Sequence, residues 1–137
     1  MKIGYANARH IGAMAIAGVV LLHALNGFGC HGQAFGSFLA SLAYFVLPAL
    51  VVAAIGLFTA NPLRAATAAA FFAPWLVLAF VTDCVIPYRG GGASMIYVAV
   101  LMWGTPCAIV GAFLGDAITR WLRIEVVPQA AAPSVKR

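Results

Sequence analysis

Charged side chains are scarce in this chain of 137 residues, which has eight basic and three acidic residues. Soluble globular proteins are about 25% charged, whereas this chain is 8% charged and 64% hydrophobic. It contains no polar stretch long enough to fold as a separate domain. The composition therefore excludes a soluble catalytic or receptor domain and predicts one integral membrane domain.

Motifs for catalysis and cofactor binding are also missing. The sequence has no C-x-x-C motif for disulfide exchange, and its three histidines (His10, His23 and His31) all lie at or near the first apolar segment. A membrane haem normally takes its axial ligands from two helices, so this placement disfavours a haem protein. We therefore expect neither an enzyme nor a resident cofactor.

Long apolar segments, by contrast, fill most of the sequence. A helix needs about 20 mostly apolar residues to cross about 30 Å of hydrocarbon, and four segments qualify: about 10–29, 37–58, 64–87 and 94–120. The intervening segments are short and contain turn residues such as Asn61 and Pro62. The predicted fold class is all-α, with residues 1–125 forming an antiparallel bundle of four transmembrane helices.

The positions of the basic residues predict how this bundle is oriented. Seven of the eight fall on one side: Lys2, Arg9, Arg64, Arg120, Arg123, Lys136 and Arg137. Only Arg89 falls on the other side, so the positive-inside rule places both termini in the cytoplasm of a bacterial-type inner membrane. Residues 126–137 are rich in Ala and Pro and are predicted to form a disordered cytoplasmic tail. In a soluble protein a net positive charge would suggest nucleic-acid binding. Here the basic residues are explained by membrane topology, so we expect no nucleic-acid partner.

Three of the predicted spans have a proline near their middle, where it removes a backbone donor and kinks the helix. Two tryptophans lie at a similar depth, although tryptophan usually prefers the membrane interface. These residues either form a midplane site for a neutral or lipid-like ligand, or simply fill a helix-packed core. The candidate midplane site consists of Tyr44, Pro48, Pro74, Trp75, Trp103, Thr105 and Pro106.

The last predicted span has small residues on one helical face, which allows close approach of another helix. That helix could belong to the same chain, to a second copy or to another membrane protein. Near the end of this span, Asp116 and Arg120 stand four residues apart and are expected to pair at a solvated helix end. The small-residue face consists of Gly104, Ala108, Gly111 and Gly115.

Most of the remaining reactive residues are expected at the outer end of the bundle. Cys30 and His31 follow the first span, and Asp83 and Cys84 end the third. In an oxidising compartment the two cysteines could form a disulfide. Alternatively, the four residues could bind copper or zinc, or the cysteines could remain unpaired thiols. Asp83 is either a functional intramembrane acid or an interfacial partner of Arg89.

The sequence therefore predicts a non-catalytic accessory, assembly or interaction subunit of a membrane complex, docking through the small-residue face of the last span. Two alternatives stay open. One is a small oligomeric transporter or lipid-handling protein that uses the midplane site, and the other is an outward-facing redox or metal-binding protein that uses Cys30 and Cys84. The expected partners are the lipid bilayer and either another membrane protein or a second copy of this chain.

Overall fold

A computed structural model describes residues 1–86 and 95–127, which are nearly all helical. The four long helices are α1 (Tyr5–Cys30), α2 (Phe35–Leu57), α3 (Leu63–Val85) and α4 (Ile96–Trp121). Each is long and apolar enough to cross a membrane, the pattern of a multi-pass membrane protein. The four helices coincide with the four predicted spans, except that α1 begins at Tyr5 instead of near residue 10.

Helices that follow one another in the chain run in opposite directions. The last residues of α1 and α3 meet at one end of the bundle, which contains Cys30 and Cys84 and is called the cystine end below. At the other end, strand β1 (Lys2–Gly4) before α1 pairs with strand β2 (Glu125–Val127) after α4. We call this the terminal end, because it contains the first and the last described residues.

Helix α3 is the centre of the bundle and packs against each of the other three helices. Its buried side chains include Phe72, Leu76 and Ala79. They form one core cluster with Val19 of α1, Val46 and Ala49 of α2, and Val100 and Ala108 of α4. Alanine is frequent along α3, and small side chains let neighbouring helices approach closely enough for extensive van der Waals contact.

The predicted small-residue face of α4 is buried against α3 of the same chain. A Cβ atom built on Gly111 would lie 2.7 Å from the backbone oxygen of Thr67. A Cβ atom on Gly104 would meet the ring of Phe72 at 2.8 Å, and one on Gly115 would meet Cγ of Arg64 at the same distance. Ala108 is also fully buried. This face is therefore an internal contact and is not free to dock a partner.

Each of the four helices contains a π-helical segment: Leu25–Cys30, Leu42–Val46, Val81–Val85 and Val100–Gly104. In α2 and α4 a proline follows the segment by two residues, at Pro48 and Pro106. Proline lacks a backbone N–H and clashes with the carbonyl four residues earlier, and the wider π turn accommodates this clash. A π-helical turn contains one more residue than an α-helical turn. This extra residue rotates the side chains before the π-helical segment relative to those after it.

The terminal end is closed by a short parallel β-pair that aligns Lys2 with Glu125 and Gly4 with Val127. The amide of Glu125 donates to the carbonyl of Met1 at 2.9 Å. Ile3 is buried in a small second cluster with Ala8 and Leu63. Strand β2 thus includes residues 126 and 127, the first two of the predicted disordered tail, and the rest of that tail lies outside the described residues.

Candidate functional site

Cys30 and Cys84 form a disulfide that joins the last turns of α1 and α3, with their Cα atoms 5.5 Å apart. The structure thus brings together the two cysteines that the sequence suggested as a pair. In a disulfide neither sulfur is the thiolate that copper or zinc would require. Within residues 1–86 and 95–127, no group of three or more His, Cys, Asp or Glu side chains is placed to hold a metal ion. Cys107 of α4 is a free, half-buried thiol.

Asn26 lies fully buried in α1, one turn before Cys30. Its Oδ1 atom is 3.7 Å from Sγ of Cys84. A disulfide sulfur carries no proton, so this contact is not a hydrogen bond in the oxidised protein. The Nδ2 atom also has no hydrogen-bond partner in the described part of the chain. The amide of Asn26 is therefore buried beside the disulfide without the hydrogen bonds that such a group normally makes.

His31 and Asp83 lie next to the two cysteines in the chain and also face each other. Nε2 of His31 is 3.5 Å from Oδ2 of Asp83, and the side chains are 36% and 4% exposed, respectively. Oδ2 of Asp83 has no hydrogen bond to any of the described residues. The carboxylate is thus almost dry, and among the described residues its ion-pair partner is the imidazole of His31. The alternative partner that the sequence suggested, Arg89, lies outside the described residues.

Tyr97 of α4 links this pair to a second histidine, His23, which is buried. Its ring centroid lies 6.3 Å from that of His31 and 6.1 Å from that of His23 in α1. Nε2 of His23 is 3.0 Å from Oγ of Ser41, which itself donates to the carbonyl of Phe38. Nδ1 of His23 and the hydroxyl of Tyr97 have no hydrogen-bond partner among the described residues. We call His23, Asn26, His31, Asp83 and Tyr97 the polar cluster.

Three members of the polar cluster, His23, Asn26 and Tyr97, were not among the candidate site residues predicted from the sequence. For Asn26 a signal existed, because His23, Asn26 and Cys30 stand three and then four residues apart in an otherwise apolar helix. That spacing places them on one helical face. Tyr97 has no comparable signal, because only the packing of α4 against α1 and α3 brings its ring to the cluster.

The seven residues of the predicted midplane site are not gathered around one space. Tyr44 and Trp103 are 73% and 62% exposed on the outside of the bundle. Pro74 and Pro106 are exposed as well. Trp75 packs on the core and Pro48 is half-buried. Oγ1 of Thr105 is buried and has no hydrogen-bond partner in residues 1–86 and 95–127. Both Tyr44 and Trp103 lie within π-helical segments, where the regular 3.6-residue period no longer predicts the direction of a side chain.

At the terminal end, the partner of Asp116 is not the predicted one. Its carboxylate accepts hydrogen bonds from both Nε and Nη2 of Arg64 in α3. Asn61 donates to the same carboxylate at 2.9 Å and also reaches Oγ1 of Thr119 at 3.1 Å. Arg120, the expected partner, donates instead to the backbone carbonyl of Asp116. This ion pair thus joins α3 to α4 and is not a pair within one helix.

A shallow apolar groove runs between α1 and α3 on the side of the bundle. Six of its eight lining residues are Ala or Gly: Ala15, Gly18, Ala66, Ala69, Ala70 and Ala73. Gly18 and Ala70 are exposed, and no atom lies within 4 Å of a Cβ built on Gly18. In contrast to the small-residue face of α4, this groove is not covered by any of the described residues.

Comparison of the chain with protein families, curated proteins and solved structures gives no match. Its function must therefore be inferred from its own residues. Two features of the described residues are not explained by packing alone. They are the open groove between α1 and α3 and the polar cluster at the cystine end.

Proposed function

We propose that this protein is an accessory or interaction subunit of a membrane complex, and that it binds a transmembrane helix of a partner in the groove between α1 and α3. The open small-residue surface of the groove carries this proposal. The small-residue face of α4, which the sequence suggested as the docking surface, is already occupied by α3. The docking surface is therefore assigned to the groove instead.

The physical basis of such binding is close backbone approach. Inside a bilayer, helices associate without a hydrophobic drive, through van der Waals packing and interhelical hydrogen bonds. Gly18 and Ala70 present little side chain, so a partner helix can lie against the backbones of α1 and α3. A larger side chain at either position would hold that helix away and remove most of the contact.

The proposed setting is a bacterial-type inner membrane with both termini in the cytoplasm. Lys2, Arg9, Arg64, Arg120 and Arg123 all belong to the terminal end of the bundle, which supports a cytoplasmic position by the positive-inside rule. The Cys30–Cys84 disulfide lies at the opposite end, and disulfides persist in oxidising compartments such as the periplasm.

The test is purification from native membranes in a mild detergent at natural expression, with the mass of the intact complex and the identity of each co-purifying chain determined. We expect a stoichiometric larger partner, and we expect Ala70→Leu to reduce its recovery at least tenfold. Ala40→Leu is the matched control, because Ala40 is exposed on α2 and does not line the groove. A monomer, or a complex containing only copies of this chain, would overturn the proposal.

A further inference from the structure

The environment of Asn26 differs between the two redox states of its neighbouring cysteines. A buried polar group that lacks its hydrogen bond costs about 1–3 kcal/mol, and among the described residues Oδ1 of Asn26 is in that situation while Cys30 and Cys84 are joined, since it contacts only the unprotonated sulfur of Cys84. Breaking the disulfide gives Cys84 an S–H donor. The Oδ1 atom of Asn26 lies 3.7 Å from that sulfur, within reach of an S–H···O hydrogen bond.

Reduction therefore supplies a hydrogen bond that the oxidised protein lacks. An interaction made only in the reduced state shifts the thiol–disulfide equilibrium toward the thiols and makes the disulfide a better oxidant. From this we infer that Cys30 and Cys84 form a reversible redox site, which oxidises thiols in the compartment that the cystine end faces. The inference concerns a different part of the molecule from the groove and is independent of the proposed function.

The chemical class of the electron donor is a dithiol, or two equivalents of a monothiol. A donor thiolate attacks one sulfur of the disulfide, the S–S bond breaks, and the other sulfur leaves as a thiolate that takes a proton from water. A second donor thiolate then attacks the mixed disulfide and releases the remaining protein sulfur, which is also protonated. Two electrons and two protons pass to Cys30 and Cys84, and the donor is left as a disulfide.

The position of the disulfide allows this exchange. Both cysteines are only half-buried, and they lie at the end of the bundle, where α1 and α3 stop. His31, the residue after Cys30, is 36% exposed, so the disulfide can be approached from the Cys30 side. A structural disulfide would instead resist reduction by the glutathione pool.

The experiment measures the equilibrium constant between this disulfide and glutathione in the detergent-solubilised full chain. Cys107→Ala is used as the background, so that only Cys30 and Cys84 react, and free thiols are counted by a maleimide gel shift at a series of glutathione ratios. We expect reversible reduction of the folded protein. We expect Asn26→Leu to shift the constant about 2- to 10-fold toward the disulfide, the value of one net hydrogen bond.

Thr105→Val is the matched control, because it removes another buried polar atom that has no hydrogen-bond partner among the described residues and that is not bonded to either sulfur there. It should leave the constant unchanged. An Asn26→Leu variant with the constant of the parent chain would overturn the inference. If Asn26→Leu fails to fold, the glutathione equilibrium of the parent chain alone tests the inference. A folded parent chain whose disulfide resists a large excess of glutathione would contain a structural crosslink and not a redox site, and that result would overturn the inference.

Discussion

The polar groups at the two ends of the bundle differ in how completely they are hydrogen-bonded. At the terminal end, the carboxylate of Asp116 accepts hydrogen bonds from Arg64 and Asn61. At the cystine end, by contrast, Asn26, Asp83 and Tyr97 each keep a buried atom without a hydrogen bond to any described residue. Native proteins satisfy most buried polar groups, so those left unsatisfied often mark a functional site. The contrast agrees with a structural role for the polar residues of the terminal end and with the redox role that we infer for the cystine end.

The ends also differ in how their helices are held together. Hydrogen bonds of the β-pair and the Arg64–Asp116 ion pair close the terminal end, and these form and break with folding itself. A covalent bond between Cys30 and Cys84 closes the cystine end, and such a bond forms and breaks by thiol–disulfide exchange. Of the two ends, only the cystine end is therefore held by a bond between helices that forms or breaks with the redox conditions outside the protein.

A pair of glycine substitutions gives the largest expected difference between the ends. A Cβ on Gly56, near the terminal end, would lie 2.8 Å from the backbone nitrogen of Ala65, and a backbone cannot move aside easily. We expect Gly56→Ala to lower the free energy of unfolding by about 2–3 kcal/mol, measured by thermal or denaturant unfolding in detergent. Gly36→Ala, near the cystine end, introduces a Cβ into open space and should change stability by less than about 1 kcal/mol. Equal losses in the two variants would contradict the difference in packing.

The same change at the two aspartates, Asp116 and Asp83, should have opposite effects. In the parent chain the carboxylate of Asp116 accepts hydrogen bonds from two nitrogens of Arg64. Asp116→Asn puts an amide in its place, whose N–H groups face the guanidinium. The two side chains are 38% and 34% exposed, so solvent weakens the pair, and we expect a loss of about 1–2 kcal/mol in the free energy of unfolding. Asp83→Asn removes a nearly dry charge that lacks a hydrogen bond at Oδ2, and stability should stay the same or rise by up to about 1 kcal/mol.

Both aspartate variants are measured by the same unfolding assay, with the disulfide intact. A loss at Asp83 as large as that at Asp116 would show that the contact between Asp83 and His31 stabilises the fold as much as the Arg64–Asp116 pair does. That result would remove the distinction between a satisfied and an unsatisfied end.

The helices could be predicted from the sequence because hydropathy alone determines them. Four apolar segments of sufficient length, separated by turn residues, gave the number of spans and their approximate limits. The start of α1 was placed too late because residues 5–10 include the polar Asn7, Arg9 and His10, which a hydropathy criterion rejects. In the structure they extend the helix beyond its apolar part, to the β-pair that precedes it.

The spacing of residues along one helix indicated which residues make contacts, but it could not identify partners on another helix. The i,i+4 rule assigned Asp116 to Arg120, but the closer partner is Arg64, which stands 52 residues earlier. The small residues of α4 indicated a helix contact without identifying α3 as the neighbour. The midplane residues were grouped by depth, a criterion that ignores the direction of each side chain and therefore placed the outward-facing Tyr44 and Trp103 in one site.

The smallest expected effect concerns the second ion pair of the terminal end, between Lys2 and Glu125. The charged atoms lie 3.9 Å apart and the side chains are 77% and 70% exposed, so Glu125→Gln should change the free energy of unfolding by less than about 0.5 kcal/mol. The β-pair is held instead by backbone bonds, such as that from Glu125 to Met1, and by the buried Ile3. Hydrogen exchange at the Glu125 amide should therefore stay as slow in Glu125→Gln as in the parent chain, whereas Ile3→Ala should accelerate it. Faster exchange in Glu125→Gln would mean that the terminal end depends on exposed charge, and its stability would then fall with added salt.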